Sequence, residues 1–177
     1  MRTANARLPN LLVHGRGEGG FEKNDAIAMA LYRLAAAVGH APALYNLGRF
    51  FEDGNGVPQD LAEAARLWLQ AADKGHAFAE AALAHAYLLG LGVDKDYHTA
   101  LQFARRASDK GIAVGERCLG VLYAEGWGVS RDDRQAVILL AKAASQGDED
   151  AVECLSQLAG QGVAEAAAAL RRLRLAP

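Results

Sequence analysis

Apolar side chains recur along this chain at helical spacing, and the spacing itself recurs. Ala43, Leu47 and Phe51 stand four apart with Phe50 beside them, which predicts a helix from about Pro42 to Asp53. Ala64, Leu67, Trp68, Ala71 and Ala72 then mark the inward face of a second helix, predicted over Asp60 to Lys74. A short polar stretch, Gly54-x-Gly56-Val57, separates the two. Thirty-six residues further on the pattern returns as Leu83, Tyr87, Gly90-x-Gly92-Val93, Asp96, Ala100, Ala104 and Ala107-Ser108. It returns again, without a gap, as Leu119, Tyr123, Gly126-x-Gly128-Val129, Asp132, Ala136, Leu140 and Ala143-Ala144. A fixed period of this length marks stacked repeats, each completed by its neighbours because none can bury its own apolar face.

The punctuation agrees with the period. Asp60, Asp96 and Asp132 stand where each second helix begins, and a carboxylate there accepts from a free backbone N–H and meets the positive end of the helix dipole. Glu63 and Gln135, three residues later, predict the reciprocal arm of a capping box. Gly75, Gly111 and Gly147 fall just past the other end, where a left-handed residue closes a helix. Small residues at 64, 71 and 72, and again at 100, 107 and 108, let backbones approach, while Leu47 and Trp68 fill the remaining volume.

Shifted back by one period, the pattern meets Gly20, Phe21, Asn24, Ala28, Tyr32, Ala35-Ala36 and Gly39. A degenerate repeat is therefore expected over about 8–41, with a short helix near Leu8–Val13 and a good one over Asn24–Val38. Full repeats follow at 42–77, 78–113 and 114–149, then a C-terminal capping helix pair within 150–175, built on Asp150–Leu158 and Val163–Leu173. Arg171, Arg172 and Arg174 on the last helix suit the negative end of its dipole. The whole of 1–177 reads as one domain.

Charge changes this picture little. Nineteen basic and 21 acidic residues, a formal net charge of -2, give no reason to expect a nucleic acid or an anionic membrane as partner. No segment reaches membrane-spanning length, and Leu11-Leu12-Val13 after Arg2 and Arg7 is too short for a secretory signal. If Met1 is the native start, a cytoplasmic location is expected. Cys118 and Cys154 stand one period apart, in equivalent places of successive repeats. Equivalent helices pack roughly 8–10 Å apart, beyond the Cα separation of about 7 Å that a disulfide permits. Both thiols read as small packing residues.

Leu-Gly-x-x-aromatic-x-x-Gly-x-Gly-Val-x-x-Asp, followed by Ala, a bulky apolar residue, Ala-Ala and Gly, resembles the Sel-one-like repeat, a longer relative of the tetratricopeptide repeat. The likeness covers roughly residues 11–160. It implies an all-α fold, a right-handed α/α superhelical solenoid of 36-residue helix-turn-helix repeats, acting as an adaptor or scaffold for other proteins. Bacterial members of the family serve in signalling or envelope assembly, and some neutralise antibacterial effectors. A cysteine-rich secreted branch carries regular cysteine pairs, which this sequence lacks.

The motifs that suggest chemistry dissolve in context. Gly15-x-Gly17-x-x-Gly20 matches the dinucleotide fingerprint, but that fold needs an acidic ribose ligand about 20 residues on. Asn24 to Phe51 offers only Asp25, and the repeat register accounts for Gly20 as the counterpart of Gly56. His14, His40, His76, His85 and His98 form no Cys/His pair with metal-ligand spacing. No serine or cysteine comes with an identifiable base and orienter. The run Asp148-Glu149-Asp150 reads as a complement to a helix dipole. No catalytic residue, cofactor or metal is predicted, and an enzyme or small-ligand binder is the remote alternative.

In stacked helical hairpins the first helices line the concave face. The positions that the repeats do not share there collect Tyr45, Arg49, Glu52 and Asp53, then Ala81, His85, Leu88 and Leu89, then Arg117, Val121 and Glu125. Tyrosine and arginine are frequent interface anchors. Tyr45, Arg49, Asp53, His85, Leu89, Arg117 and Val121 are the candidate partner-binding residues from this strip. Trp127 joins them, filling the free place of the third Gly-x-Gly where Asn55 and Leu91 stand earlier. The competing reading for Leu88, Leu89 and Trp127 is packing against neighbouring helices. The expected function is non-enzymatic binding of a protein or peptide on the concave face. The alternative is an immunity or inhibitor protein that neutralises a specific bacterial toxin or effector.

Overall fold

The computed structural model describes residues 25–175. The expected helix near Leu8–Val13, the register positions Gly20, Phe21 and Asn24, and the Gly15-x-Gly17-x-x-Gly20 stretch lie outside the described residues. Among those residues there are nine helices and no strand. They are α1 (Asp25–Ala37), α2 (Ala41–Asp53), α3 (Leu61–Ala72), α4 (Ala77–Leu89), α5 (Tyr97–Asp109), α6 (Ala113–Glu125), α7 (Asp133–Ser145), α8 (Glu149–Gly160) and α9 (Ala164–Leu175). The alternation of first and second helices follows the period read from the sequence. None of these helices is long and apolar enough to cross a membrane. The described residues divide into two compact units that part between Ala79 and Glu80, inside α4.

In the first unit α1 packs on α2 and α2 on α3. The approach of α2 to α3 depends on Gly48, because a Cβ at that position would run into the indole nitrogen of Trp68. Trp68 is buried with Leu47, Ala64 and Ala71, and its Nε1–H donates to the Tyr45 carbonyl at 3.3 Å. One small residue thus admits one large one, whose only polar atom finds an acceptor.

In the second unit α5 packs on α6, α6 on α7, α7 on α8 and α8 on α9. Contacts of α6 with α8 and of α7 with α9 carry each hairpin onto the next. One core cluster joins Ala84, Leu88, Ala100, Ala104, Cys118, Leu119 and Leu122, and another joins Ala136, Leu140, Ala143, Ala151, Leu155 and Leu158. Gly120 does for Leu140 what Gly48 does for Trp68, since a Cβ there would lie 2.8 Å from Leu140 Cγ. In the intervening repeat the equivalent places hold two alanines, Ala84 and Ala104, within one cluster.

The loops inside the repeats share one construction. Gly54, Gly56, Gly90, Gly92, Gly126 and Gly128 all have φ between 68° and 78°, a region open to glycine at little cost. Asp60 accepts from Glu63 N–H, Asp96 from His98 and Thr99 N–H, and Asp132 from Gln135 N–H. The capping box is only half made. The Asp60 N–H donates to the Phe51 carbonyl, Asp96 N–H to Tyr87 and Asp132 N–H to Tyr123, at 2.9, 3.0 and 2.9 Å. With that donor already taken, the Glu63 carboxylate turns to Arg66 instead, accepting at 2.6 and 2.7 Å. Gly75, Gly111 and Gly147 close the second helices with φ of 78°, 74° and 89°.

Two charges are buried that the sequence pattern did not mark. Glu80 and Glu116 are both 0% exposed. Lys110 Nζ donates to Glu80 Oε2 at 2.6 Å, and Arg106 Nη2 lies 2.6 Å from Oε1 as an ion pair outside hydrogen-bond geometry. One period later Gln146 Nε2 donates to Glu116 Oε2 at 2.7 Å, and Lys142 pairs with Oε1. A carboxylate removed from water this completely persists only with such compensation.

Candidate interaction site

The second unit carries an apolar cleft of about 280 Å³. Leu88 and Leu89 reach it from α4, Val121, Ala124 and Glu125 from α6, Trp127 from the following loop, Leu140 from α7, and Cys154, Gln157 and Leu158 from α8, with Gln161 just beyond. Leu89 remains 49% exposed and Trp127 37%, a large apolar area left to solvent at one place. The Trp127 indole is stacked on Tyr97 with centroids 4.8 Å apart and planes 17° from parallel. Gly128 makes this fit, because a Cβ there would lie 2.9 Å from the Tyr97 carbonyl oxygen.

Beside the cleft residues, α4 and α6 also contribute a charged group. The Arg117 guanidinium pairs with Asp148 at 3.0 Å and Asp150 at 3.3 Å, and its side chain is only 14% exposed. Asp148 also caps α8 by accepting from Ala151 N–H at 2.9 Å. Burial, and then the positive charge of Arg117, hold the His85 imidazole below its ordinary pKa, against the opposite pull of Asp150 and Asp148. Both thiols are free: Cys118 is buried and its pKa is pushed up to about 12, chiefly by that burial, while Cys154 is half-buried on the cleft wall. No group of three or more His, Cys, Asp or Glu among the described residues is placed to hold a metal ion.

The first unit presents a different surface. Tyr45 stacks on His76, centroids 4.9 Å apart, and lies 6.0 Å from Phe78, which is 55% exposed. Next to it Arg49 pairs with Glu52 and Asp53, both at 3.4 Å. A second hollow of about 390 Å³ is lined by Leu44, Leu47 and Phe51 together with Arg33, Glu63, Arg66 and Gln70.

Of the residues predicted from sequence, the structure gathers Leu89, Val121 and Trp127 into one cleft and Tyr45, Arg49 and Asp53 into one half-neutralised strip. His85 and Arg117 fall in the ion cluster. Leu88 and Ala81, included in the strip, are buried in the core. Sequence reasoning missed Cys154, Gln157 and Gln161, which belong to what reads as a capping pair. It also missed the second duty of Asp148, for which the only signal was an acidic residue one helix away from an arginine.

The Sel1 repeat family model matches residues 12–40, 41–76, 77–112 and 119–148. Among solved structures, a protective antigen of uropathogenic Escherichia coli displaying an SLR fold is 34% identical, with a TM-score of 0.74 over 88% of this chain and 33% of that one. A Sel1 repeat protein from Oxalobacter formigenes is also 34% identical, with a TM-score of 0.68 over 84% of this chain and 62% of its own. The Helicobacter pylori cysteine-rich protein B, 22% identical with a TM-score of 0.51, shares the fold. The chain thus spans about a third and somewhat under two thirds of the first two proteins. No curated protein matches it.

Proposed function

The chain belongs to the Sel1-repeat family, and on that premise we propose that it is a non-enzymatic interaction module holding a partner protein or peptide against the first helices of its repeats. Sel1-repeat proteins generally mediate protein–protein interaction. The observation that carries the reading to particular residues is the cleft in which Leu89, Val121 and Trp127 meet. A tryptophan already immobilised on Tyr97 loses little freedom on binding, which favours it as an anchor. In the first unit Tyr45, Arg49 and Asp53 are the corresponding contact residues.

The test is affinity capture with the immobilised full chain from extracts of the source organism, followed by a binding measurement on the purified partner. A specific protein should be retained, and Leu89→Asp with Trp127→Ala should weaken it by about tenfold or more while leaving the helical circular dichroism unchanged. Failure to retain any protein reproducibly would overturn the reading.

A further inference from the structure

The cleft of the second unit collects the C-terminal ends of three first helices. Leu88 and Leu89 close α4, Val121, Ala124 and Glu125 close α6, and Gln157 and Leu158 lie in the last turn of α8, with Gln161 just after it. A helix C-terminus carries roughly half a negative charge, felt within its last turn. Three such ends supply the lining, which is apolar apart from Glu125, Gln157 and Gln161.

The side chains around the cleft add to this field. Glu125 is exposed on the lining and Glu153 on α8, where it accepts from Gln157 Nε2 at 3.2 Å, while the exposed Asp150 is offset by Arg117. Two of the nearby cations are bound to carboxylates. The Arg131 guanidinium, which feels Glu125, is bound to Asp133 at 2.7 Å, and Arg117 is held by Asp148 and Asp150. Lys95, with Nζ 6.0 Å from the centre of the Tyr97 ring, keeps its positive charge on that side, so the acidic excess rests on Glu125 and Glu153. The cleft therefore has a hydrophobic interior and a negative surround. Its aromatic wall, Trp127, offers a π surface that attracts cations.

We infer that the cleft takes a peptide segment in which one bulky apolar side chain is flanked by lysine or arginine. This rests on the protein-binding reading above and names the chemistry of the partner. The volume, about 280 Å³, lies just below the roughly 300–1,000 Å³ of small-molecule sites, and suits a single anchoring side chain. Gln161 contributes an amide that can both donate to and accept from an extended backbone, and Gln157, one of whose N–H groups donates to Glu153, keeps its carbonyl oxygen and second N–H for it. An acidic flank would instead meet Glu125 and the helix ends, and like charges across an interface act against a partner.

Three synthetic decapeptides test this against the full chain, identical except that a central leucine is flanked by two lysines, two serines or two glutamates. Calorimetry gives the affinities, and the change in tryptophan emission gives the location, Trp68 being buried and constant. The lysine-flanked peptide should bind about tenfold tighter than the glutamate-flanked one, since several individually weak charge and cation–π contacts add. Binding should be lost in Trp127→Ala, and Glu125→Lys should invert the preference. Equal affinities, a preference for the acidic peptide, no binding by any of the three, or binding indifferent to Trp127→Ala would each overturn the inference. If the panel fails while a captured partner still binds, the interaction reading stands and only the basic–apolar occupant falls. If no partner is captured either, both fall.

Discussion

At one register position the first unit buries Leu44, and the second unit buries Glu80 and then Glu116. The slot is the same, and the solutions differ. Leu44 satisfies it with apolar volume. The glutamates satisfy it with ion clusters drawn from the following second helix, Arg106 with Lys110 and Lys142 with Gln146. Gln70 and Lys74 hold those two places in the first unit, where Gln70 lines the hollow next to Leu44. A repeat position therefore demands filled volume and satisfied chemistry, and either route is acceptable once the partner helix agrees.

The comparison can be broken most forcefully at Lys142. Removing its ammonium in Lys142→Met leaves a fully buried carboxylate with one neutral donor, and should cost about 3–5 kcal/mol, read as a lower urea midpoint. The half-exposed reach of Lys142 places the value toward the lower end. Adding Glu116→Leu copies the first unit's solution and should restore stability to within about 1 kcal/mol of wild type, or exceed it. A double variant as unstable as the single one would show that the two slots are not equivalent.

A smaller effect is expected where the units share a rule. Gly48→Ala drives a methyl into the Trp68 indole and should cost about 1–3 kcal/mol of overpacking despite the better helix propensity of alanine. In a Trp68→Ala background, which imitates the Ala84 and Ala104 pairing, the same change should cost nothing. Additive penalties in a double-mutant cycle would remove the size-matching account.

The smallest effect is a pH dependence carried by the second unit, where His85 occupies the place of Arg49. Its folded pKa lies below the ordinary value near 6.5, so between the two values the unfolded chain binds more protons. Stability should consequently fall as pH drops below about 6.5, and His85→Gln should flatten that slope in chemical denaturation. An unaltered slope would place the acid sensitivity elsewhere.

The fold was largely legible because its signals are local. Asp60, Asp96 and Asp132 announce helix starts, and Gly75, Gly111 and Gly147 announce ends, through chemistry that acts within one turn. What stayed hidden depends on residues about thirty positions apart. Nothing local marks Glu80 and Glu116 as buried, and their cations stand far along the chain at Arg106, Lys110 and Lys142. Arg117 read as an open anchor, and only the packing of α6 beside α8 ties it to Asp148. Replacing Arg117 would therefore strand a buried carboxylate as well as alter a surface. Leu88 and Leu89 are adjacent in sequence, yet one packs and the other is half exposed, a distinction that helix phase alone does not settle.

The bond from each loop aspartate N–H to the aromatic carbonyl nine residues earlier has a consequence for variation. Because Phe51, Tyr87 and Tyr123 lock the loops through backbone atoms, the residue between the glycines answers to neither the lock nor the turn. Asn55, Leu91 and Trp127 occupy three copies of one mount. Mutation can rewrite each of them without disturbing the helices that carry it. On the proposed reading, partner choice is thereby separable from the frame, one loop at a time.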